Sequence, residues 1–322
     1  MSKKYLVTGG AGFIGSNFIR QVLAEEPGAQ VTNLDLLTYS GVQATVDELD
    51  VDPRHSFVKG DVGNPDTVEP LVAEANVIVH FAAETHVDRS ITGPGPFLET
   101  NVVGTGILID AARKHGVERF IHVSTDEVYG SLPNGSAAED RRLDPSSPYA
   151  ASKAAADLLV GAYRTTYGYL PIVTRCTNNF GPYQFPEKVI PLFVTNLLDG
   201  KKVPLYGDGR NERDWLHVSD HCRAIRLLVD EGVPGEIYNV GADNHLTNLE
   251  LTRRILEALG ADESMVERVP DRPGHDLRYA VDSSKIRRLG WGPDRDFEGR
   301  LAETIEWYRS RRDWWEPLRE PQ

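Results

Sequence analysis

Two side chains that could move protons stand four residues apart, at Tyr149 and Lys153. The apolar pattern after Pro148 predicts a helix, and residues with this spacing share one helix face. A nearby ammonium favours the phenolate form of tyrosine, so Tyr149 could take a proton from an alcohol while a cofactor takes the hydride. An isolated pair of this kind is more often an ordinary surface pair, and the sequence context must decide between the two interpretations.

Two consecutive acids, Asp126 and Glu127, follow the short apolar run 119–123. Such a run is typical of a buried parallel strand, and the residues after it emerge at the carboxyl edge of the sheet, where open α/β sheets bind ligands. Two carboxyl groups in different environments can serve as acid and base. An elimination needs both, one to remove a carbon-bound proton and one to protonate the departing hydroxyl. The alternative is a solvated acidic pair in a loop.

A dinucleotide site is predicted at the start of the chain, where Gly9, Gly12 and Gly15 follow the strand-like run 5–8. Glycines there let the backbone turn tightly and approach a pyrophosphate, which the N-terminus of the next helix attracts. The next strand-like run ends at Asp35, twenty residues beyond Gly15. An acidic side chain at that place accepts the ribose hydroxyls of NAD and repels the 2′-phosphate of NADP, so we expect NAD. For a bare glycine motif, an ordinary glycine-rich turn is the alternative.

The order of the elements predicts the fold. Strand-like and helical runs alternate through the first half of the chain, which indicates an α/β fold with a Rossmann-type doubly wound parallel sheet. We therefore expect an NAD-binding domain over 1–176, with later segments returning to it, and a smaller mixed α/β lobe over 177–322 that mainly binds the substrate. A helix is predicted over 99–114, and loops are predicted over 178–182 and around Arg213.

Charge and composition limit the partners. The 322 residues carry a formal net charge of −13 and have a pI of about 5.2, which argues against a nucleic-acid or anionic membrane surface. No apolar run is long enough to span a bilayer, so the default compartment is the cytoplasm. Neither the nine histidines nor Cys176 and Cys222 show a metal-ligand spacing, and no metal is assigned. Arg213 and Arg272 are candidate diphosphate ligands, with ordinary surface ion pairs as the alternative.

Taken in order, these motifs resemble a known family. Over nearly its whole length the chain is similar to the extended short-chain dehydrogenase/reductases, and within them to the dTDP-glucose 4,6-dehydratases. The motifs that carry the resemblance are the glycine fingerprint, Ser124-Thr125-Asp126-Glu127, Tyr149 with Lys153, Asn178-Asn179-Phe180-Gly181-Pro182-Tyr183, and Arg272-Pro273-Gly274-His275. Two positions depart from the family pattern: Thr85 stands where serine is expected, and Phe180 where tyrosine is common. Both keep hydroxyl character or size.

The resemblance implies an internal redox cycle on dTDP-glucose, in which NAD is regenerated. Tyr149 takes the proton of the 4-hydroxyl as hydride passes from C4 to NAD, while Lys153 holds the ribose and lowers the pKa of the tyrosine. Glu127 then removes the C5 proton, Asp126 protonates the departing 6-hydroxyl, and the hydride returns to C6 with reprotonation at C5. The implied product is dTDP-4-keto-6-deoxyglucose, which would make the protein a hydro-lyase of deoxysugar biosynthesis.

The resemblance also implies contacts and an assembly. The catalytic residues that it implies are Thr125, Asp126, Glu127, Tyr149 and Lys153. Its cofactor contacts are Gly9, Gly12, Phe13, Ile14, Gly15, Asp35, Thr38, Asp61, Val62, Ala82, Ala83, Thr100, Tyr149, Lys153 and Asn179. Its nucleotide-sugar contacts are Thr85, Thr125, Asn178, Lys188, Val189, Tyr206, Arg213, Asn248, Arg272 and His275. Family members are typically homodimers joined by two helices of each subunit, here those near 100–114 and 149–166.

Other functions stay open at this point. A nucleotide-sugar 4-epimerase or decarboxylase of the same fold would share Tyr149 and Lys153, but an epimerase has no leaving hydroxyl for Asp126 to protonate. A non-catalytic NAD-binding regulatory protein would keep the fold without the chemistry, and the intact acid and tyrosine–lysine pairs argue against it. The residues do not distinguish thymine from uracil or cytosine as the base of the nucleotide.

Overall fold

Parallel strands organise the fold of this protein, whose computed structural model describes residues 2–271 and 273–319. The strands of these residues are β1 (Lys4–Thr8), β2 (Gln30–Asp35), β3 (His55–Lys59), β4 (Val77–His80), β5 (Arg119–Thr125), β6 (Ile172–Cys176), β7 (Asn178–Phe180), β8 (Val203–Tyr206), β9 (Glu212–His217), β10 (Ile237–Val240), β11 (His245–Thr247) and β12 (Val266–Val269). The largest sheet has seven strands, all parallel, in the order β10-β6-β5-β4-β1-β2-β3. The order reverses between β1 and β4, and ligands bind open α/β sheets at such a switch point.

Helices connect the strands and cover the sheet. They are α1 (Phe13–Glu25), α2 (Gln43–Leu49), α3 (Pro65–Glu74), α4 (Val87–Thr92), α5 (Gly95–Leu98), α6 (Thr105–His115), α7 (Pro148–Tyr167), α8 (Val189–Leu198), α9 (Val218–Glu231), α10 (Asn248–Leu259), α11 (Ser284–Arg287), α12 (Phe297–Ser310) and α13 (Arg312–Trp315). A π-helical segment covers Glu99–Gly104, and 3-10 turns cover Asp126–Tyr129, Glu263–Met265 and Pro317–Arg319. Within the described ranges, no helix combines the length and the apolar character needed to cross a membrane.

Alternate residues of β1 explain why helices lie on both faces of the sheet. Successive side chains of a strand point to opposite faces. Tyr5 and Val7 pack in one core cluster with apolar residues of α1 and α9, whereas Leu6 packs in another with residues of α3 and α6. Both faces of the sheet are therefore buried, as the doubly wound fold requires, and the predicted Rossmann-type α/β class is confirmed.

The ends of α7 are specified by its own sequence. The hydroxyl of Ser147 accepts the backbone N–H of Ala150 at 3.1 Å, and Pro148 occupies the first turn. At the other end, Gly168 adopts a left-handed conformation with a φ of 67°. These are the usual signals for the start and the end of a helix, and they hold Tyr149 in its first turn.

A second apolar core lies beyond the central sheet. Buried side chains of α8, α10 and α12 meet there, among them Phe193, Ile255 and Ile305, together with Trp315 of α13. Two smaller sheets accompany it, one with the order β11-β9-β7 and the other pairing β12 with β8. This core and these sheets form the smaller mixed α/β lobe that the sequence predicts.

Two segments that were predicted as loops are strands. Residues Asn178–Phe180 form β7, which pairs in parallel with β9, so that Asn178 lies opposite Trp215. Arg213 lies inside β9 rather than in a loop. Both predictions were wrong because neither run has the apolar alternation of a strand, and pairing between distant segments satisfies their backbone hydrogen bonds instead. The helix predicted over 99–114 is present, but its first part is the π-helical segment.

Candidate active site

A cleft opens at the carboxyl ends of β1, β2, β4, β5 and β6. It contains all five residues predicted to be catalytic. The residues predicted to contact the cofactor also all line it, namely Gly9, Gly12, Phe13, Ile14, Gly15, Asp35, Thr38, Asp61, Val62, Ala82, Ala83, Thr100, Tyr149, Lys153 and Asn179. The structure thus brings together residues that are spread over more than half of the chain.

The glycine turn between β1 and α1 leaves room for a phosphate group. Gly9 has a φ of 74°, and a Cβ atom there would lie 2.6 Å from the backbone nitrogen of Ala82. At Gly15 a Cβ atom would lie 2.3 Å from the carbonyl oxygen of Gly9. Side chains are therefore excluded at these two positions. Because α1 begins directly after Gly12 and its first residues line the cleft, the positive N-terminal end of this helix fits the pyrophosphate of a dinucleotide.

Asp35 ends β2 at the edge of the same cleft. Its Oδ2 atom accepts the backbone N–H of Ala11 at 3.0 Å, and its Oδ1 atom accepts that of Leu37 at 2.8 Å. Burial raises the pKa of this carboxyl, and the two backbone N–H groups act in the opposite direction. Each carboxylate oxygen keeps a second lone pair, so the fixed side chain can still accept ribose hydroxyls. The residues present therefore fit NAD.

Tyr149 and Lys153 are buried in the middle of the cleft. The Lys153 ammonium donates a hydrogen bond of 2.8 Å to the carbonyl oxygen of Val123, and burial lowers its pKa to about 8. Burial also raises the pKa of Tyr149 well above its usual value, and the charge of Glu127 adds to this increase. A hydrogen bond with Thr125 lowers the pKa of Tyr149 and so opposes the effects of burial and of the Glu127 charge. The phenol is thus protonated at neutral pH.

The acid pair lies on the 3-10 turn Asp126–Tyr129, directly after β5. Thr125 caps this turn, since its hydroxyl oxygen accepts the backbone N–H of Glu127 at 3.2 Å and its hydroxyl donates to Asp126 Oδ1 at 3.3 Å. The change from strand to turn removes the alternation that would send adjacent side chains to opposite faces. Both acids consequently line the same cleft.

Asp126 is in the environment of a proton donor. It is buried, and this burial raises the pKa of its carboxyl well above the usual value, with a further increase from the charge of Glu127 and an opposing effect from Arg213. A carboxyl group with a raised pKa holds its proton more strongly than an ordinary one and can serve as a general acid.

Several buried polar atoms point to a missing ligand. Among the described residues, Ser124 Oγ, Asp126 Oδ2 and Asn178 Oδ1 are buried without a hydrogen-bond partner, and all three residues line the cleft. An unpaired buried polar atom costs about 1–3 kcal/mol, so such a concentration is expected where a polar ligand binds.

The predicted substrate contacts fall into two groups. Thr85, Thr125, Asn178 and Lys188 line the cleft, and the Lys188 ammonium donates to the carbonyl oxygen of Thr85 at 3.2 Å. Residues that are not part of its lining are Val189, Tyr206, Arg213, Asn248 and His275. Arg272, which was also predicted, lies outside the described residues.

Arg213 and His275 have defined surroundings beyond the cleft lining. The Arg213 side chain is buried, lies 4.4 Å from the ring centre of Tyr279, and donates to the carbonyl oxygen of Asp276 at 2.9 Å. The imidazole of His275 lies 2.6 Å from a carboxylate oxygen of Asp271 and 6.3 Å from the ring of Tyr206. The charge of Arg213 acts to lower the pKa of Asp126.

Sequence reasoning missed a further set of cleft residues. They are Leu34, Leu36, Ser40, Gly41, Gly60, Phe81, Glu84, Val123, Cys176, Thr177, Gln184, Phe185 and Glu187. Most of them directly follow a parallel strand or adjoin a predicted contact, so the carboxyl-edge rule applied to every strand would have found them. The segment that contains Gln184, Phe185 and Glu187 carries no such signal. In the described ranges, no cluster of His, Cys, Asp and Glu side chains could hold a metal ion.

Known proteins share this architecture and much of the sequence. Residues 6–304 match the family model described as GDP-mannose 4,6 dehydratase. The dTDP-glucose 4,6-dehydratase of Streptomyces niveus is 54% identical, over 99% of this chain and 96% of its own length. The dTDP-glucose 4,6-dehydratase of Streptomyces venezuelae, solved with NAD and TYD bound, is 55% identical with a TM-score of 0.96, and the match covers 98% of this chain and 100% of that chain.

An epimerase of the same fold is less similar. The UDP-glucose 4-epimerase of Thermus thermophilus, solved in complex with NAD, has a TM-score of 0.88 and 33% identity, over 95% of this chain and 99% of that chain. The fold alone therefore does not separate the two activities, whereas sequence identity favours the dehydratases. With a matching model over most of its length and close relatives over nearly all of it, this chain belongs to the GDP-mannose 4,6 dehydratase family, alongside the dTDP-glucose 4,6-dehydratases.

Proposed function

We propose that this protein is an NAD-dependent dTDP-glucose 4,6-dehydratase, a hydro-lyase that converts dTDP-glucose into dTDP-4-keto-6-deoxyglucose and water. The observation that carries the proposal is that an acid pair and a tyrosine–lysine pair line one cleft. Relatives that are 54% and 55% identical over nearly the whole chain bear this name. When bound, NAD supplies a reversible acceptor for the hydride that leaves C4 of the sugar and returns to C6, while C5 regains a proton that has exchanged with solvent.

Tyr149 and Lys153 serve the oxidation at C4. The phenolic oxygen of Tyr149 takes the proton of the 4-hydroxyl, and the buried Lys153 ammonium stabilises the phenolate that this requires. The hydrogen bond between Lys153 and the carbonyl oxygen of Val123 holds the ammonium in the cleft. The low exposure of both side chains excludes water, which strengthens the electrostatic interaction between them.

Glu127 and Asp126 serve the elimination. A ketone at C4 acidifies the C5 proton, and Glu127 removes that proton as the base. Asp126 donates its proton to the 6-hydroxyl, which leaves as water. Burial raises the pKa of Asp126, which favours the protonated form for this step, and Thr125 orients it through its hydroxyl. Adjacent carboxyl groups thus divide the work of acid and base.

The residues predicted to hold the nucleotide sugar keep those roles in the proposal. Thr85, Asn178 and Lys188 lie in the cleft beside the acid pair, which supports contacts with the sugar and its diphosphate. The charge of Arg213 acts to lower the pKa of Asp126, and a guanidinium suits a diphosphate. Roles for Val189, Tyr206, Asn248, Arg272 and His275 follow from the resemblance alone.

A substrate panel tests the proposal. Purified protein is given dTDP-, UDP- and CDP-glucose, and the 4-keto-6-deoxy product is followed for each. We expect kcat/KM for dTDP-glucose to exceed the other values by at least about 10-fold, a discrimination of about 1.4 kcal/mol. A preference for UDP- or CDP-glucose would contradict the assignment of thymine as the base of the substrate but would leave the proposed reaction in place. The absence of a 4-keto product from all three would overturn the function.

We further propose that the protein is a homodimer, joined through α7 and the helical segments around residue 100. Large apolar side chains are exposed there: Leu98 by 53%, Val103 by 55% and Leu158 by 67%. Burial of such side chains against a second copy would remove them from water. Sedimentation of the Leu158→Glu variant tests this, because it should be monomeric where the unmodified protein is dimeric. A monomeric unmodified protein would contradict the proposal.

The cellular and domain assignments are also proposals. NAD and nucleotide sugars are cytoplasmic metabolites, which supports a cytoplasmic location. The separate cores of the central sheet and of the smaller lobe support an NAD-binding domain over 1–176, which β10 joins, and a mainly nucleotide-sugar-binding lobe over 177–322.

A further inference from the structure

A buried ion pair lies behind the lysine of the redox site. Asp157 stands one helical turn beyond Lys153 on α7. Its Oδ2 atom accepts a hydrogen bond of 2.8 Å from Nε of Arg175 in β6, and the two side chains are only 2% and 4% exposed. Neither residue lines the cleft. Desolvation offsets most of the attraction in a buried pair, so a contribution to stability does not by itself explain this arrangement.

Several titratable neighbours of Lys153 are neutral. Burial raises the pKa of the Cys176 thiol to about 12. It also lowers the pKa of the imidazoles of His80 and His122, on β4 and β5, below the usual value. Tyr149, on the same helix, has a raised pKa and is likewise uncharged. None of these four groups supplies a counter-charge to the ammonium at neutral pH.

Asp157 is the charged group that faces Lys153 from its own helix. Burial raises the pKa of Asp157, but His122 and Arg175 outweigh this effect and bring it below the usual value, so the carboxylate is ionised. Residues one turn apart on a helix are neighbours. The acids Asp126 and Glu127 line the cleft and raise the pKa of Tyr149, while Asp157 raises that of Lys153 against the effect of burial.

We propose that Asp157 is a positioning residue for the redox step: its carboxylate keeps the Lys153 ammonium charged inside the buried cleft, and Arg175 keeps Asp157 ionised. The inference rests on the proposed function, in which the ammonium stabilises the phenolate of Tyr149. A neutral lysine would no longer do so. Asp157 contacts neither substrate nor cofactor in this account and acts through Lys153.

The same ion pair also reaches the acid turn. Arg175 donates a second hydrogen bond, of 2.8 Å, to the hydroxyl of Tyr129, which in turn donates to Asn239 at 2.8 Å. Tyr129 is the last residue of the 3-10 turn that carries the acid pair. Arg175 therefore joins the helix of the redox pair to the turn of the acid pair, which explains why a charged group, rather than an apolar one, fills this buried position.

The pH dependence of the holoenzyme tests the proposal. Loss of the Lys153 proton defines the basic limb of the pH profile, which we expect near pH 8. Asp157→Asn removes the negative charge, lowers the pKa of Lys153 and should move the limb to lower pH by about 1 unit or more. Asp157→Glu keeps the negative charge and should return the basic limb to its position in the unmodified enzyme. NAD affinity of the apoprotein, measured across the same pH range, should show the same shift without turnover.

A matched control separates electrostatics from damage to the core. Asp220 is also a buried carboxylate beside an arginine, with Arg223 at 2.8 Å, but it lies on α9. Asp220→Asn should lower stability and leave the basic limb in place. If Asp157→Asn does not fold because Arg175 is left unpaired, the double variant Asp157→Asn/Arg175→Gln removes both charges and should also lower the limb.

Each outcome decides one claim. The role of Asp157 would be overturned if the unmodified enzyme converts dTDP-glucose and the basic limb of the pH profile stays in place in Asp157→Asn or in the double variant. An equal shift in Asp220→Asn would overturn it as well. An unmodified protein that makes no 4-keto product would reject the proposed function, and the NAD titrations would still test the charge of Lys153.

Discussion

The ammonium of Lys153 donates a hydrogen bond of 2.8 Å to the carbonyl oxygen of Val123. Val123 belongs to β5, which leads directly into the turn Asp126–Tyr129. The contact therefore joins the helix that carries the tyrosine–lysine pair to the strand that presents the acid pair. In the proposed function the first pair serves the oxidation and the second the elimination, so variants of each pair should affect different steps.

Tyr149→Phe should block the first oxidation. Without the phenolic oxygen, no group takes the proton of the 4-hydroxyl, and general acid–base groups contribute about 100-fold to about 10,000-fold to a rate. The rate at which reduced cofactor appears after dTDP-glucose is mixed with the holoenzyme reports this step. Tyr163→Phe, on the same helix, is the control and should behave as the unmodified enzyme. A normal rate in Tyr149→Phe would remove this residue from the redox step.

Asp126→Asn and Glu127→Gln should spare the oxidation and slow the loss of water. Asparagine cannot donate the proton that the 6-hydroxyl needs, and glutamine cannot accept the C5 proton. Quenched reactions analysed by mass spectrometry should show a 4-keto sugar that retains its 6-hydroxyl, together with reduced cofactor. Asp140→Asn, at an exposed position, is the control. Normal release of water by both acid-pair variants would show that other groups carry the elimination.

Asp35→Asn should weaken the binding of NAD and relax the exclusion of NADP. Hydrogen bonds to a charged group are worth about 1.5–3 kcal/mol, so we expect at least about a 10-fold increase in the Kd for NAD. Titration of the apoprotein with each cofactor measures both effects. Asp66→Asn changes an exposed acid on α3 and should alter neither. If Asp35→Asn binds NAD as tightly as the unmodified protein, Asp35 does not hold the ribose.

His221 should make the fold sensitive to acid. Burial lowers its pKa from 6.5 to about 3, and its Nδ1 atom lies 2.9 Å from the Asn179 side-chain oxygen. The unfolded chain therefore binds a proton that the folded protein does not. The contribution to stability is complete above pH 6.5 and is lost as the pH falls towards 3, by up to about 1.4 kcal/mol per pH unit.

The His221→Gln variant isolates this effect. The free energy of unfolding, measured in urea between about pH 4 and about pH 6, should depend less steeply on pH, by about one bound proton. His115→Gln changes an exposed histidine and should keep the slope of the unmodified protein. An unchanged slope in His221→Gln would mean that this imidazole is already protonated in the folded state.

Local signals in the sequence were sufficient to locate the glycine turn and Asp35. At Gly15 a side chain would collide with the backbone of Gly9 in the same short turn, whereas at Gly9 it would collide with the backbone of Ala82 after β4. Asp35 lies at the end of the next strand. The glycine spacing and the position of Asp35 are features of the local sequence. The placement of both acids in one cleft was predicted for the same reason, since a strand that ends at Thr125 no longer alternates its side chains.

Features that depend on distant partners were not predictable in this way. Arg213 lies in a strand because β9 pairs with β7 and β11. No periodic pattern in the sequence around Arg213 predicts that pairing. The ion pair of Asp157 and Arg175 joins a helix to a strand across the core. A single sequence contains the two residues but not their distance, so only the folded structure reveals the group that faces Lys153.

Turnover of dTDP-glucose in deuterated water tests the central claim most directly, namely that the acid pair turns an oxidation into a dehydration. The product is analysed by mass spectrometry and NMR. The account predicts a 4-keto-6-deoxy sugar nucleotide that has lost one water and carries solvent deuterium at C5. A product of unchanged mass, epimeric at C4 and without deuterium at C5, would contradict it.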